Sequence, residues 1–258
     1  GLITYMRTDS VRIADEALHA VRHFIEKEFG KPYLPKSPRV YKVKKQAQDA
    51  HEAIRPTSVI HSPETLSLSL NSDQAKLYEL IWDRFVASQT ESAVFDQTRI
   101  DISAGEYQLK TTGRVLKFDG FLKLYRESND TDTEPDDRTI PNVAKDENLE
   151  RHQILPEQHF TEPPPRYTEA SLVKELESDG IGRPSTYAPI ISTIVSRGYV
   201  AKEARALMPT ELGETINGLL IKSFPLVLDL KFTAKMEEEL DEILEGKVHW
   251  VKMLEEFY

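Results

Sequence analysis

Within its first ten residues, Gly1-Leu2-Ile3-Thr4-Tyr5-Met6-Arg7-Thr8-Asp9-Ser10, the chain passes from strand-like to helical patterning. An apolar run ends at Tyr5. After Thr8-Asp9-Ser10, the residues Ala14, Ala17, Leu18, Val21, Phe24 and Ile25 recur at helical spacing. Ser10 or Asp9 is the expected N-cap, Asp15 and Glu16 suit the first turn, and Gly30 suits the C′ position. Residues two apart in a strand share a face, so Tyr5 and Arg7 are expected on one surface beside a helix start. Free N–H groups and a bidentate guanidinium there suit a phosphate. Taken alone, so short a pattern reads more readily as a half-buried aromatic beside a solvated charge.

Beyond Gly30 lies a Pro- and Lys-rich loop over 31–46. A short helix is expected around 47–54, stopped by Pro56. Asn71 and Ser72 are placed to cap a longer helix carrying Leu77, Leu80, Ile81 and Phe85. The pattern then alternates: residues 98–102, 107–110 and 115–118 read as strands with Gly turns between them. Residues 128–148 read as a polar, acidic loop, and Pro163-Pro164-Pro165 as a boundary. Then come a helix over about 169–178, a Gly-containing turn at 180–182, a helix over about 185–197, a short strand at Tyr199-Val200, and further helices. Helix, short turn, helix and strand pair form a winged helix-turn-helix pattern. The expected class is α+β and multidomain: mainly helical with winged helix-turn-helix-like modules, plus a small antiparallel β region.

The 258 residues, 39% of them hydrophobic, suffice for a sizeable core split over two or three modules. No apolar run is long enough to span a bilayer, and no signal peptide is visible. With no cysteine there is no disulfide and no Cys-ligated zinc. The net charge of −10 is unevenly spread. Residues 1–61 hold 11 Lys and Arg against 7 Asp and Glu, whereas residues 128–162 hold 3 against 10 and residues 234–258 hold 3 against 8. Local neutralisation, not the net sum, decides whether phosphates are bound. The chain starts four residues before its most distinctive tyrosine, without an initiator Met, and reads as a fragment of a larger protein.

Four strings carry a resemblance. They are Gly1 to Ser10; Gln48-Asp49-Ala50-His51-Glu52-Ala53-Ile54-Arg55-Pro56; Phe118-Asp119-Gly120-Phe121; and Glu169-Ala170-Ser171-Leu172-Val173-Lys174-Glu175-Leu176 through Gly182-Arg183-Pro184-Ser185-Thr186-Tyr187. In this order they resemble the type IA DNA topoisomerases, over essentially the whole chain. Tyr5-Met6-Arg7 is similar to the bacterial topoisomerase I branch. The resemblance implies three domains: a tyrosine-bearing helical domain at 1–91, the strand-rich part of a hinge or arch domain at 92–160, and a winged-helix-like DNA-binding domain at 161–258. It also implies a Toprim domain that precedes the tyrosine in sequence and binds Mg²⁺. Without it, these 258 residues alone are expected to be inactive. The implied setting is the bacterial cytoplasm at the nucleoid, with single-stranded DNA as partner and no membrane.

The chemistry follows from the residues. A phenol ionises only near pH 10, so attack on a phosphodiester needs help with the proton and with the developing charge. Tyr5 is the expected nucleophile and Arg7 the expected charge stabiliser. The resemblance implies a 5′-phosphotyrosine, which retains the energy of the broken bond and allows resealing without ATP. His51 and Arg55, four apart, would share a helical face. Spacing alone leaves open a phosphate contact or an ion pair with Glu52; the resemblance favours the phosphate. Arg183, Ser185 and Thr186 stand at the start of the second helix, where DNA binding and simple capping are both served. Asp130-Thr131-Asp132-Thr133-Glu134 alternates carboxylates, but its Ser, Asn, Thr and Pro surroundings read as a solvated loop, so no metal is assigned. The alternative is a non-catalytic winged-helix DNA-binding module. It accounts for residues 169–210 but not for the Tyr5 string. Burial of the Tyr5 hydroxyl in a core would favour it.

Overall fold

The structure, a computed structural model, describes residues 1–42, 51–66, 68–126, 140, 141 and 143–257. Among them are eight α-helices and two two-stranded antiparallel sheets, so the class is α+β. The chain divides into two compact units. The first comprises Gly1–Thr4, Val11–Lys42 and Glu52–Pro163; the second comprises Tyr5–Ser10, Val43–His51 and Pro164–Tyr258. The acidic string Asp130 to Glu134 lies outside the described residues.

In the first unit, helix α1 (Asp15–Glu28) starts five residues after Ser10, and its N-cap, Ala14, makes no side-chain capping bond. The capping expected of Ser10 or Asp9 is therefore corrected. Asp15 and Glu16 do sit in the first turn, and Gly30, at φ +88°, ends the helix as expected. Residues 51–54, expected to be helical, are not; residues 47–50 lie outside the described residues. The segment instead runs extended beside the N-terminus. Thr4 N–H donates to Arg55 O (2.9 Å), Thr57 N–H donates to Leu2 O (2.9 Å), and Ile3 bridges Pro56. A residue before proline avoids helical backbone, which favours this arrangement over a helical turn. The strand expected through Tyr5 reduces to that single bridge, and Met6 and Arg7 form a bend.

After α2 (Pro63–Leu66), helix α3 (Ser72–Ser88) opens with the expected Asn71, in a capping box with Gln74. Its buried face is Tyr78, Trp82, Phe85 and Val86, packed with Val21, Ile25 and Val59. Leu77 and Leu80, part of the apolar pattern from which this helix is expected, are more than half exposed. The aromatic rings win the core because they carry more apolar area and their polar atoms find partners. Tyr78 Oη donates to His61 O (2.6 Å) and Trp82 Nε1 to Val59 O (3.0 Å).

Strands β1 (Val94–Ala104) and β2 (Tyr107–Phe118) form one hairpin. Two of the three expected strands merge, because Gly113 pairs with Thr98 inside β2 instead of turning the chain. At the root, Gly120 has φ +50°, and a Cβ there would stand 2.5 Å from Glu91 O. The same contact carries Phe121 N–H to Glu91 O (2.9 Å), while Tyr33 Oη donates to Asp119 (2.7 Å). The Phe118-Asp119-Gly120-Phe121 string thus fastens the hairpin to the helical part of this unit.

The second unit contains α4 (Glu169–Ser178), capped by Thr168 and Ser171. A Gly turn leads to α5 (Tyr187–Ser196), which starts two residues later than expected. The hairpin β3 (Val200–Glu203) with β4 (Ala206–Pro209) follows, then α6 (Glu211–Ser223), α7 (Leu230–Leu244) and α8 (Trp250–Phe257). Ile181, Ile191 and Leu207 are its buried apolar residues.

Candidate active site

In the second unit the loop Tyr5–Ser10 brings chemistry-bearing groups to the surface. Tyr5 is 56% exposed. Its ring centroid lies 5.6 Å from that of His51, tilted by 54°. Among the described residues no hydrogen bond engages the Tyr5 hydroxyl. Arg7 is exposed, and no described residue forms an ion pair or hydrogen bond with its guanidinium. The Thr-Asp-Ser cluster, expected as a cap, shapes the loop instead. Thr8 Oγ1 accepts the Ser10 N–H (3.0 Å), and Ser10, only 7% exposed, donates from Oγ to His51 O (2.9 Å). A helix start beside Arg7, the expected phosphate seat, is not formed, since α1 begins at Asp15.

Arg55 belongs to the first unit. Its side chain is 11% exposed, and its Nε and Nη2 donate to Glu52 Oε2 at 2.8 and 2.6 Å. Nη1 donates to Pro56 O (3.1 Å). The ion pair left open by the spacing is therefore present, with the backbone extended rather than helical.

Arg183 is similarly engaged within the second unit. Nη2 donates to Asp241 Oδ2 (2.6 Å) and Glu237 O (3.2 Å), Nη1 donates to Gly182 O (2.6 Å), and Glu237 Oε2 lies 3.6 Å from Nη1. Burial alone would lower the Arg183 pKa; the hydrogen bond and charge of Asp241, helped by Glu237, outweigh it and raise the pKa. Glu237 Oε1 also accepts the Gly182 N–H (3.1 Å). The turn is thus fastened to α7. Gly182 is required here: its φ is +78°, and a Cβ would stand 3.0 Å from the Tyr187 ring. Burial pushes the Tyr187 pKa up, and the nearby carboxylates of Glu177 and Asp9 push it the same way. Ser185 and Thr186 are exposed. Thr186 Oγ1 accepts the Arg183 N–H (2.8 Å) but makes no capping bond to α5.

The sequence reading did not identify Ser10 as a tether, nor Glu237 and Asp241 as Arg183 partners. The available signal for the latter was their spacing, four apart on one helical face. Among the described residues, no group of three or more His, Cys, Asp or Glu side chains is placed to hold a metal ion. No described helix is long and apolar enough to cross a membrane.

A sequence model of the family described as DNA topoisomerase matches residues 1–255. The chain belongs to the DNA topoisomerase family. This topoisomerase-family chain is 48% identical over 261 residues to DNA topoisomerase 1 of Rickettsia felis, covering all of this chain and 34% of that protein. It is 47% identical over 258 residues to DNA topoisomerase 1 of Vibrio cholerae, covering all of this chain and 29% of that protein. The solved structure of full-length topoisomerase I from Thermotoga maritima matches all of this chain and 41% of its own, with a TM-score of 0.81 and 41% identity. The expected type IA, bacterial topoisomerase I branch is borne out. The topoisomerase chain spans about a third of the length of the curated relatives it matches.

Proposed function

We propose that this chain carries the nucleophile of an ATP-independent type IA DNA topoisomerase that relaxes negative supercoils. The reading rests on one observation above all: Tyr5 presents an exposed hydroxyl with no described hydrogen bond, its ring against His51. Tyr5 Oη attacks a phosphorus of single-stranded DNA, and the bond to the departing 3′ oxygen breaks. Tyr5 gives up its phenolic proton as the new O–P bond forms, and the departing strand takes up a proton as its 3′ hydroxyl, leaving a 5′-phosphotyrosine; resealing reverses both proton transfers. After strand passage the 3′ hydroxyl attacks the phosphotyrosine and releases Tyr5. Arg7 stabilises charge on the phosphoryl oxygens.

His51, Arg55, Arg183, Ser185 and Thr186 are the proposed DNA contacts. Of these, Ser185 and Thr186 are exposed on the turn before α5, whereas Arg55 and Arg183 also hold carboxylates. The order α4, turn, α5, β3–β4 supports a winged helix-turn-helix reading of this region. The proposed domains remain 1–91, 92–160 and 161–258, with a Toprim domain of the same protein as their partner. The described residues do not fit the implied Mg²⁺, which on this reading belongs to that Toprim domain. The proposed location is the cytoplasm, at the nucleoid.

The test is a chimera in which this chain replaces the matching segment of the Vibrio cholerae relative. It is mixed with an end-labelled single-stranded oligonucleotide and run on a denaturing gel, and relaxation of supercoiled plasmid is followed in parallel. A labelled covalent band and relaxation are expected. A folded chimera giving neither would overturn the reading.

A further inference from the structure

The Ser10 hydroxyl is buried, yet it caps no helix. A buried hydroxyl without a partner is costly, so its partner reports what the fold uses it for. A described partner of the Ser10 hydroxyl is the carbonyl of His51, 2.9 Å away and 41 residues along the chain. On the other side, Thr8 Oγ1 takes the Ser10 N–H at 3.0 Å and so fixes Ser10 relative to the bend at Met6-Arg7. The His51 ring meets the Tyr5 ring at 5.6 Å with a tilt of 54°. An aromatic contact of this kind contributes only about 0.5–1.5 kcal/mol and defines orientation loosely. The Ser10 hydrogen bond holds the backbone from which this imidazole projects.

We propose that Ser10 is a positioning residue of the Tyr5 site, acting through its hydrogen bond to the His51 carbonyl to keep the imidazole against the nucleophilic ring. This rests on the reading of Tyr5 as nucleophile. On that reading His51 contacts the phosphate being attacked, and a displaced imidazole lowers the cleavage rate while other contacts still hold the DNA. Misplacement by a fraction of an ångström at a reacting centre is sufficient, since about 1 Å can cost a hundredfold.

The test uses the same chimera with Ser10→Ala, Ser10→Thr, His51→Ala, and His51→Ala combined with Ser10→Ala. Initial rates of covalent adduct formation are measured alongside oligonucleotide affinity and thermal melting. Ser10→Ala should slow adduct formation about tenfold while affinity changes less than about twofold. Ser10→Thr, which keeps a hydroxyl, should recover most of the rate. In the His51→Ala background, Ser10→Ala should cost less than about a further twofold, because the positioned group is gone. Independent, multiplying losses from the two substitutions would overturn the proposal, as would an unchanged rate in folded Ser10→Ala or a failure of folded Ser10→Thr to recover. Should Ser10→Ala not fold, Ser10→Cys, close in volume and a weak donor, takes its place with the same coupling expected. Tyr5→Phe separates the two readings. An adduct persisting in Tyr5→Phe refutes the nucleophile itself, whereas a blank Tyr5→Phe beside a fully active Ser10→Ala refutes only the tether.

Discussion

Two loops of the second unit carry an arginine that reads as a phosphate contact, and they use it in opposite ways. In Tyr5–Ser10, Arg7 projects from a bend with no described partner, and the short polar residues after it do the folding. In the turn before α5, Arg183 itself does the folding, joined to Asp241 and to the carbonyls of Gly182 and Glu237. One guanidinium is spare and the other is already committed to intramolecular bonds. A site that must receive and release a charged strand needs both: groups left open for the phosphate, and a scaffold whose own charges are satisfied before DNA arrives.

The sharpest way to break this contrast is Tyr5→Phe in the chimera. One exposed oxygen is lost, the ring stays against His51, and folding should be unaffected. Oligonucleotide affinity should stay near normal, since phosphate contacts come from elsewhere. No denaturant-resistant adduct should form and no supercoils should relax, because a covalent intermediate needs that oxygen. A labelled band in this variant would refute the first loop as the reacting one.

Arg7→Ala comes next in size. An arginine that meets only the developing charge should slow cleavage about a hundredfold or more on removal. Melting temperature should stay unchanged, since Arg7 has no described intramolecular partner, and DNA affinity should fall far less than the rate. Equal losses in rate and affinity would make Arg7 a simple binding residue. Arg183→Ala should show the reverse balance. It strands two carboxylates, Asp241 and Glu237, that are 31% and 23% exposed. Solvent reaches the pair, so the cost falls below that of a fully buried one, to about 2 kcal/mol. The measurement is chemical denaturation of the 258-residue chain. An unchanged midpoint would show that Arg183 is as spare as Arg7.

Local signals in the sequence place local structure well. The span of α4, Glu169–Ser178, follows from spacing that its own cap, Thr168, reinforces, and Gly30 ends α1 because left-handed backbone excludes most other residues. Where the reading fails, the deciding partner is far along the chain. Ser10 is an excellent N-cap by type, yet its hydroxyl is taken by a carbonyl 41 residues on. Residues 55–57 pair with Leu2–Thr4, the Ala53 N–H goes to Arg12 O instead of a helical partner, and no window around them contains that information. For α3 the apolar pattern fits two faces, and only the carbonyls of His61 and Val59 choose the one bearing Tyr78 and Trp82. The candidate site divides in the same way. Tyr5, Arg7 and His51 stand in readable strings, whereas the Arg183 partner Asp241 lies 58 residues away on another helix.

The smallest effects come from the two adjacent hydroxyls of the second turn, which restate the contrast at a scale of single bonds. Ser185 and Thr186 are both exposed, and both suit a phosphate oxygen. Thr186 Oγ1 already accepts the Arg183 N–H at 2.8 Å and bonds the Arg183 carbonyl at 3.1 Å. Ser185 has no described hydrogen bond. Thr186→Ala should therefore lower stability by about 1 kcal/mol, the usual net worth of a hydrogen bond, whether or not DNA is present. Ser185→Ala should leave stability within about 0.5 kcal/mol, as for a surface position with no structural partner. Its effect should appear only with DNA, as a few-fold loss of oligonucleotide affinity that is similar for all sequences, because a phosphate contact carries no base information. The slope of affinity against salt should not change, since serine bears no charge and releases no counterion. Denaturation midpoints and fluorescence-anisotropy titrations at two salt concentrations separate these outcomes. A stability loss in Ser185→Ala equal to that of Thr186→Ala would mean that the turn has no hydroxyl to spare, and that the loop of Tyr5 and Arg7 alone leaves its groups open.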